Sequence, residues 1–309
     1  MKKKILITGC GGYLGSYLMP YLHNKGYEVS GQDIGFFKDC SLYKNEQIEK
    51  LIQYKDSNDL VPSDIKNFDV LIHLSGISND PLNQLTSEKV YDPTRSYTLR
   101  IAKICREFNV KFIFASSCSV YGASTTTNYL DENSNTNPQT GYSLNKLQIE
   151  QDLNSIASEN FFPICLRFAT IFGVSSRMRF DVVINMLTGM ALTEKKIKLN
   201  SDGKAWRPNL YIEDACKAIE HAINYEKRID DNKILILNVG RDDNNIKIID
   251  IAQIIKKLLP GTSVQFISKT NQDSRNQLFL DRKIKEGKDS RTYKVLFNNF
   301  EKKFGKICF

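Results

Sequence analysis

Five short apolar runs constrain this chain more than anything else in it: KILIT (4–8), YEVSGQD (27–33), DVLIHL (69–74), VKFIFAS (110–116) and FPICLRF (162–168). Longer stretches with helical spacing separate them, notably YLGSYLMPYLHNK (13–25), TRSYTLRIAKICREF (94–108) and YSLNKLQIEQDLNSIASE (142–159). Strands buried on both faces read as continuous β-branched and aliphatic runs, and a helix between successive strands makes a parallel crossover. The alternation predicts an α/β fold, a Rossmann-type doubly wound parallel sheet.

After about residue 172 the rhythm loosens: a turn-like GVSSRMRF, a helix near 180–191, IKLNSDGKAW, a helix over 212–225, a strand at 233–240 and a helix over 247–259. Residues 1–172 are expected to form the dinucleotide-binding domain, rejoined by about 205–239, and 173–309 mainly a smaller substrate-binding lobe at the C-terminal edge of the sheet. The charged, poorly periodic segment 268–291 reads as a surface excursion.

ILITGCGGYLG places Gly9, Gly12 and Gly15 between the first strand and the first helix. Glycines there permit a tight turn and let backbone N–H groups approach a diphosphate at a helix N-terminus, with Tyr13 and Leu14 inside the same turn. Asp33 closes the next strand, 18 residues after Gly15. An acid there accepts hydrogen bonds from ribose hydroxyls and repels a 2′-phosphate, which favours NAD over NADP. Lys38 nearby is the residue that leaves room for NADP.

VKFIFAS runs into SCSVYG, and a residue just past the C-terminal end of a central strand is where such folds keep their chemistry. Strand alternation would point Ser117 and Ser119 to one side and Cys118 to the other. Tyr142 and Lys146 then follow at a spacing of four on one helix face. A phenol is a poor base at neutral pH, but an adjacent ammonium favours the phenolate, which could take a proton from an alcohol. Tyr21 and Lys25 repeat the spacing on the first helix without a serine strand before them, and read as packing and surface.

Composition narrows the partners. The net charge of +8 comes from lysines interspersed with acids, without a basic stripe carrying aromatics, so a nucleic-acid partner is not expected. Attraction of a diphosphate-bearing small molecule is the better use of that charge. No apolar run approaches the ~20 residues of a membrane span. MKKKILITGCGG has too short an apolar run for a secretory signal and reads as the first strand of a cytoplasmic protein. The seven cysteines form no C-x-x-C pair and the three histidines lie far apart, so no metal site is expected.

In TGCGGYLG, DVLIHLSG, SSCSVYG, YSLNK, LRFATIFG and WRPNLYIEDACKA, which span residues 8–218 in order, the chain resembles the extended short-chain dehydrogenases, specifically the nucleotide-sugar epimerases and dehydratases. The resemblance implies cofactor contacts from Gly9, Gly12, Gly15, Asp33, Leu74, Ser75 and Gly76, and a catalytic set of Ser117, Tyr142 and Lys146, the last two also serving the cofactor. It also implies substrate contacts from Ser119, Thr170, Arg177, Arg179, Arg207 and Arg291, the arginines toward the diphosphate or nucleotide. A homodimer through the helices near 94–108 and 142–159 belongs to the same implication; at FEKKFGKICF, where relatives usually continue into another helix, the chain is either cut short or ends differently. There are departures. Family dehydratases carry an Asp-Glu pair where this chain has Cys118 and Ser119, and 3,5-epimerising relatives carry a cysteine where it has Ser119. Thr94 and Thr170 fall near positions where many epimerases have asparagine.

The expected function is NAD-dependent oxidation of the C4 hydroxyl of a nucleoside-diphosphate hexose or heptose, as a C4 dehydrogenase or a 4-epimerase. A nucleotide-sugar 4-reductase or dehydratase of the same family, or a non-catalytic NAD-binding regulator, is the alternative.

Overall fold

The computed structural model describes residues 2–78, 91–122, 130–227 and 234–267. Arg291 and the segment 268–291 lie outside the described residues. Seven parallel strands form the central sheet: β1 (Lys4–Thr8), β2 (Glu28–Asp33), β3 (Ile52–Tyr54), β4 (Val70–His73), β5 (Lys111–Ser117), β6 (Ile164–Phe168) and β10 (Leu235–Val239). Their spatial order is β10-β6-β5-β4-β1-β2-β3, so the strand order reverses beside β1, where a doubly wound sheet opens its ligand crevice.

Helix α1 (Gly15–Asn24) follows β1, the single-turn helices α2 (Glu46–Glu49) and α3 (Pro62–Ile65) flank β3, and α4 (Asp92–Glu107) and α5 (Gly141–Ile156) flank β5. Both faces of the sheet are covered, which explains the unbroken apolar runs: Ile5, Ile7, Leu71, Ile72, Phe112 and Phe114 are at 0% exposure. Each such side chain contributes roughly 1.5–3 kcal/mol over its exposed state. One face packs under α1 and under α7 (Ile212–Asn224), whose Ile212, Ala215, Cys216, Ile219, Ala222 and Ile223 are all buried. That spacing of three and four is a single helical stripe. Tyr21 and Lys25 belong to this packing: the Tyr21 hydroxyl donates to Glu220 at 2.6 Å, with Lys25 3.9 Å from the same carboxylate.

The remaining elements build two small sheets. One has the order β11 (Asn245–Lys247), β9 (Trp206–Tyr211), β7 (Thr170–Phe172), and the other pairs β12 (Ser263–Phe266) with β8 (Lys196–Leu199). Helices α6 (Val183–Glu194) and α8 (Ile248–Leu258) pack on them around Leu187, Ala191, Ile197, Leu199, Ile251 and Ile255. Among the described residues no helix is long and apolar enough to cross a membrane.

Candidate active site

The glycine loop is a cradle that side chains would fill. Gly9 has φ +71, and a Cβ there would lie 2.6 Å from the backbone nitrogen of Ser75; one on Gly15 would lie 2.5 Å from the Gly9 carbonyl oxygen. Backbone thus meets backbone where β1 and β4 end, and the Leu74 N–H donates to the Thr8 carbonyl at 3.0 Å. Gly11, which the Gly9-Gly12-Gly15 spacing passes over, carries a further constraint. Its N–H donates to the Asp33 carboxylate at 2.9 Å, and a Cβ would sit 3.0 Å from the Asp33 carboxyl carbon. Asp33 also accepts from the Gly35 N–H at 2.8 Å, which fixes its carboxylate beside the loop. Ser75 receives a bond at 2.7 Å from the Ser57 hydroxyl, and Gly76, at φ +147, would press a Cβ to 3.2 Å from the Thr94 methyl. Open backbone at a helix start, with a fixed acid one strand away, fits a dinucleotide.

Beneath the loop, His73 is buried among Phe112, Phe114 and Tyr97. Its Nδ1 is 2.8 Å from the Thr8 hydroxyl and its Nε2 2.9 Å from that of Thr98. The Thr98 hydroxyl donates to the Thr94 carbonyl, so its oxygen accepts, and the proton of the ring sits on Nε2. Burial, with the Lys146 charge adding to it, lowers the imidazole to about 3. His73 therefore ties β1, β4 and α4 together as a neutral group.

At the end of β5 the chain turns into a short 3-10 helix, Cys118–Tyr121. Strand alternation does not continue there, which corrects the expectation drawn from it. Ser119 still reaches Ser117, through the turn rather than the pleat: its N–H and its hydroxyl both donate to the Ser117 oxygen, at 3.2 and 2.9 Å. Cys118 is buried with Val120, Tyr121 and Leu147.

Tyr142 stands in the first turn of α5, and a capping box sets that turn. The Thr140 hydroxyl accepts from the Ser143 N–H at 3.1 Å, and the Ser143 hydroxyl accepts from the Thr140 N–H at 3.0 Å. Asn145 anchors the turn further by donating to the Tyr91 carbonyl at 2.8 Å. One turn on, Lys146 is 8% exposed and its ammonium donates to the Ala115 carbonyl at 2.7 Å. It lies 4.5 Å from the Phe114 ring centroid and 5.7 Å from that of Tyr142. Burial lowers Lys146 to about 8, against an opposing pull from Glu150. Ser117 on β5 and the Tyr142–Lys146 pair on α5 are therefore held at one strand end.

A buried ion pair lies one turn further along α5. Glu150 receives Arg167 from β6 through Nε at 3.0 Å and Nη2 at 2.6 Å, and accepts from the Ser116 hydroxyl as well. Arg167 continues to the Tyr121 oxygen at 2.8 Å, and Tyr121 donates to Asn238 at 2.7 Å. Burial opposes the charge on Arg167, but the Glu150 bonds outweigh it and raise the guanidinium further. Sequence reasoning missed this network, although an arginine inside ICLRF and a glutamate four residues after Lys146 both signalled it.

The arginines fall in different places. Arg179 forms a bidentate pair with Asp181 at 3.0 and 2.7 Å, and its charge interacts with the phenols of Tyr142 and Tyr13. Arg177 stacks its guanidinium 3.9 Å over the Phe37 ring, its backbone N–H donates to the Ser16 hydroxyl, and its Nε is buried without a hydrogen-bond partner among the described residues. Arg207 lies on β9 and donates to the Trp206 carbonyl at 2.9 Å; Thr170 pairs with Asn209 on the same strand. No local pattern marks Asn185, which is buried and bonded to Tyr13, Gly173 and Arg179.

Fold and cradle define a dinucleotide-binding α/β protein. Its sequence matches the NAD dependent epimerase/dehydratase family over residues 5–240, and the chain belongs to that family of NAD-dependent nucleotide-sugar enzymes. A relative described as an uncharacterized UDP-glucose epimerase, YtcB of Bacillus subtilis (strain 168), is 32% identical over 70% of this chain and 71% of its own length. Among solved structures, a UDP-N-acetylglucosamine 4-epimerase from Methanobrevibacter ruminantium M1, in complex with UDP-N-acetylmuramic acid, superposes with TM-score 0.82 at 22% identity, covering 96% of each chain. MoeE5 in complex with UDP-glucuronic acid and NAD gives TM-score 0.77 at 22% identity over 92% of this chain and 91% of its own. The cofactor is NAD.

Proposed function

We propose that the protein oxidises the C4 hydroxyl of a nucleoside-diphosphate hexose or heptose, as a C4 dehydrogenase or a 4-epimerase. The observation that carries this reading is the junction at the end of β5, where Lys146 bonds the Ala115 carbonyl beside the Tyr142 ring and two residues before Ser117.

NAD, held by the glycine loop and Asp33, supplies the group that accepts and returns hydride. The other roles belong to side chains. The Ser117 oxygen already accepts two bonds from Ser119, so its own proton is directed elsewhere, to the sugar oxygen in this reading. Tyr142 as phenolate takes the hydroxyl proton, and the buried Lys146 ammonium favours that phenolate. Arg179, Arg177 and Arg207 are assigned to the diphosphate side, where charge-assisted bonds suit phosphate. Dehydration fits less well, because Cys118 faces an apolar cluster and offers no acid at the position where an elimination would need one. Retention of the sugar ketone for reduction on its other face gives an epimer; release gives net oxidation.

The test is absorbance at 340 nm after mixing the protein and NAD with UDP-, GDP- and dTDP-linked sugars and heptoses. A rise with one substrate means net oxidation, and a new sugar isomer without a rise means epimerisation. Neither, with any of them, rejects the reading. Tyr142→Phe is expected to lower turnover roughly 10³-fold while NAD still binds, which also separates an enzyme from a non-catalytic regulator. A homodimer through α4 and α5 is part of the proposal. Leu144 on α5 is 44% exposed, and light scattering that finds only monomer at micromolar concentration rejects it.

A further inference from the structure

The glycine loop and the substrate lobe are joined through Ser16, whose hydroxyl lies 2.6 Å from that of Ser175 and accepts from the Arg177 N–H, and through Tyr13, a side chain that a loop with only a phosphate-binding role would not need. Tyr13 is 8% exposed, and its hydroxyl donates to the Gly173 carbonyl at 2.7 Å. The same oxygen accepts from Asn185 Nδ2 at 3.2 Å. Asn185 returns to Gly173 by accepting its N–H at 3.1 Å, and reaches forward to the Arg179 carbonyl at 2.9 Å. One hydroxyl thus closes a ring of bonds linking residues 13, 173 and 185, from which Asn185 branches to the Arg179 carbonyl.

Its surroundings keep that ring in place. Tyr13 packs with Met178 and Ile212, and Gly173, at φ +129, could carry no Cβ without one standing 2.8 Å from the Tyr211 ring. A second tie runs through main chain: the Ser175 hydroxyl donates to the Tyr13 carbonyl at 2.8 Å. Asn185 holds the backbone carbonyl of Arg179, whose guanidinium pairs with Asp181 and interacts electrostatically with Tyr142. A buried tyrosine hydroxyl with both its donor and an acceptor site satisfied by another segment has one geometry available, and so transmits restraint rather than absorbing it.

We propose that Tyr13 is a positioning residue whose hydroxyl couples the two sides of the cleft. Occupation of the glycine loop by NAD restrains residues 173–185, and with them Arg179, before any sugar arrives. The coupling is reciprocal, so a ligand held by the substrate lobe tightens NAD binding by the same factor. This rests on NAD binding at the glycine loop and not on the sugar chemistry proposed above.

Hydrogen exchange with NAD alone tests it. In the wild-type protein NAD is expected to slow exchange in peptides covering 9–16 and also 173–185, the latter by at least about five-fold. In Tyr13→Phe, which keeps the ring in its apolar site, protection at 9–16 should persist while that at 173–185 falls below about two-fold. Ser175→Ala removes the bonds to the Tyr13 carbonyl and the Ser16 hydroxyl and leaves the Tyr13 hydroxyl ring whole, so it should keep the wild-type response. Equal protection of 173–185 in wild type and Tyr13→Phe overturns the proposal, as does wild-type protection confined to 9–16. Loss of coupling in Ser175→Ala but not in Tyr13→Phe overturns it too. Because no sugar is added, absence of turnover with every nucleotide sugar would reject the functional reading alone.

Discussion

The Lys146 ammonium donates to the Ala115 carbonyl at 2.7 Å while standing 5.7 Å from the centroid of the Tyr142 ring. One cation thus fixes α5 to β5 and supplies the positive charge beside the candidate base. Burial lowers it to about 8, so the charge is complete only below that value and is lost as pH rises through it. A falling limb in kcat/KM near pH 8 is the expected result, absent from Lys146→Met, whose remaining rate should be lower by roughly 10²–10⁴. Stability moves the opposite way. The folded protein releases this proton near 8 and the unfolded chain near the usual lysine value, so this group's contribution to stability rises with pH between them. Urea midpoints for wild type and Lys146→Met across that range check the sign.

Glu150 and Arg167, at 2% and 4% side-chain exposure, make a pair whose rupture leaves a charge without solvent. Glu150→Gln should cost about 3–5 kcal/mol, the usual effect of removing one partner of a buried pair. Adding Arg167→Met to it should recover at least about 1 kcal/mol, since no orphaned charge then remains. Urea unfolding of the single and double variants decides, and a double variant as unstable as the sum of the singles argues against the pair as the source.

The strands that could be read in advance are those whose burial writes an apolar run into the chain: β1, β2, β4, β5, β6 and β10. Ile52–Tyr54, Thr170–Phe172 and Asn245–Lys247 are three residues each, and they are strands because of the strand opposite, which no local pattern records. The candidate site divides likewise. Tyr142 and Lys146 share a helix face because their spacing dictates it, whereas Ser119 meets Ser117 through a 3-10 turn that strand alternation cannot foresee. Asn185 acts through tertiary bonds to residues distant in sequence, and nothing beside it in the chain marks it out. Where charge interrupts an apolar strand, as at Arg167, the sequence did carry a signal.

Asp33 accepts from Gly11 and Gly35 and so presents a fixed carboxylate at the rim of the cradle. Asp33→Ser removes the charge that would repel a 2′-phosphate and the acceptor for ribose hydroxyls. NAD affinity should fall roughly 10-fold or more, about 1.4 kcal/mol, and the ratio of NADP to NAD affinity should rise. Titration of both dinucleotides into wild type and variant measures this, and an unchanged ratio shows that another residue sets cofactor choice.

His73 offers a prediction at acid pH. The ring is buried and neutral, bridging the hydroxyls of Thr8 and Thr98, and burial lowers it to about 3. The unfolded chain takes up the proton near 6.5, so between these values it binds one proton more than the folded protein. The stability contributed by the neutral ring is therefore complete above 6.5 and erodes as pH falls, by up to roughly 1.4 kcal/mol per pH unit. His73→Gln removes this titration while keeping a donor and an acceptor. It should be less stable than wild type at pH 7.5, because the two threonine bonds fit it less well. Between pH 7.5 and 5 wild type should lose about 2 kcal/mol more than the variant. Urea midpoints at the two pH values test this, and parallel losses would mean that the acid sensitivity of the fold arises elsewhere.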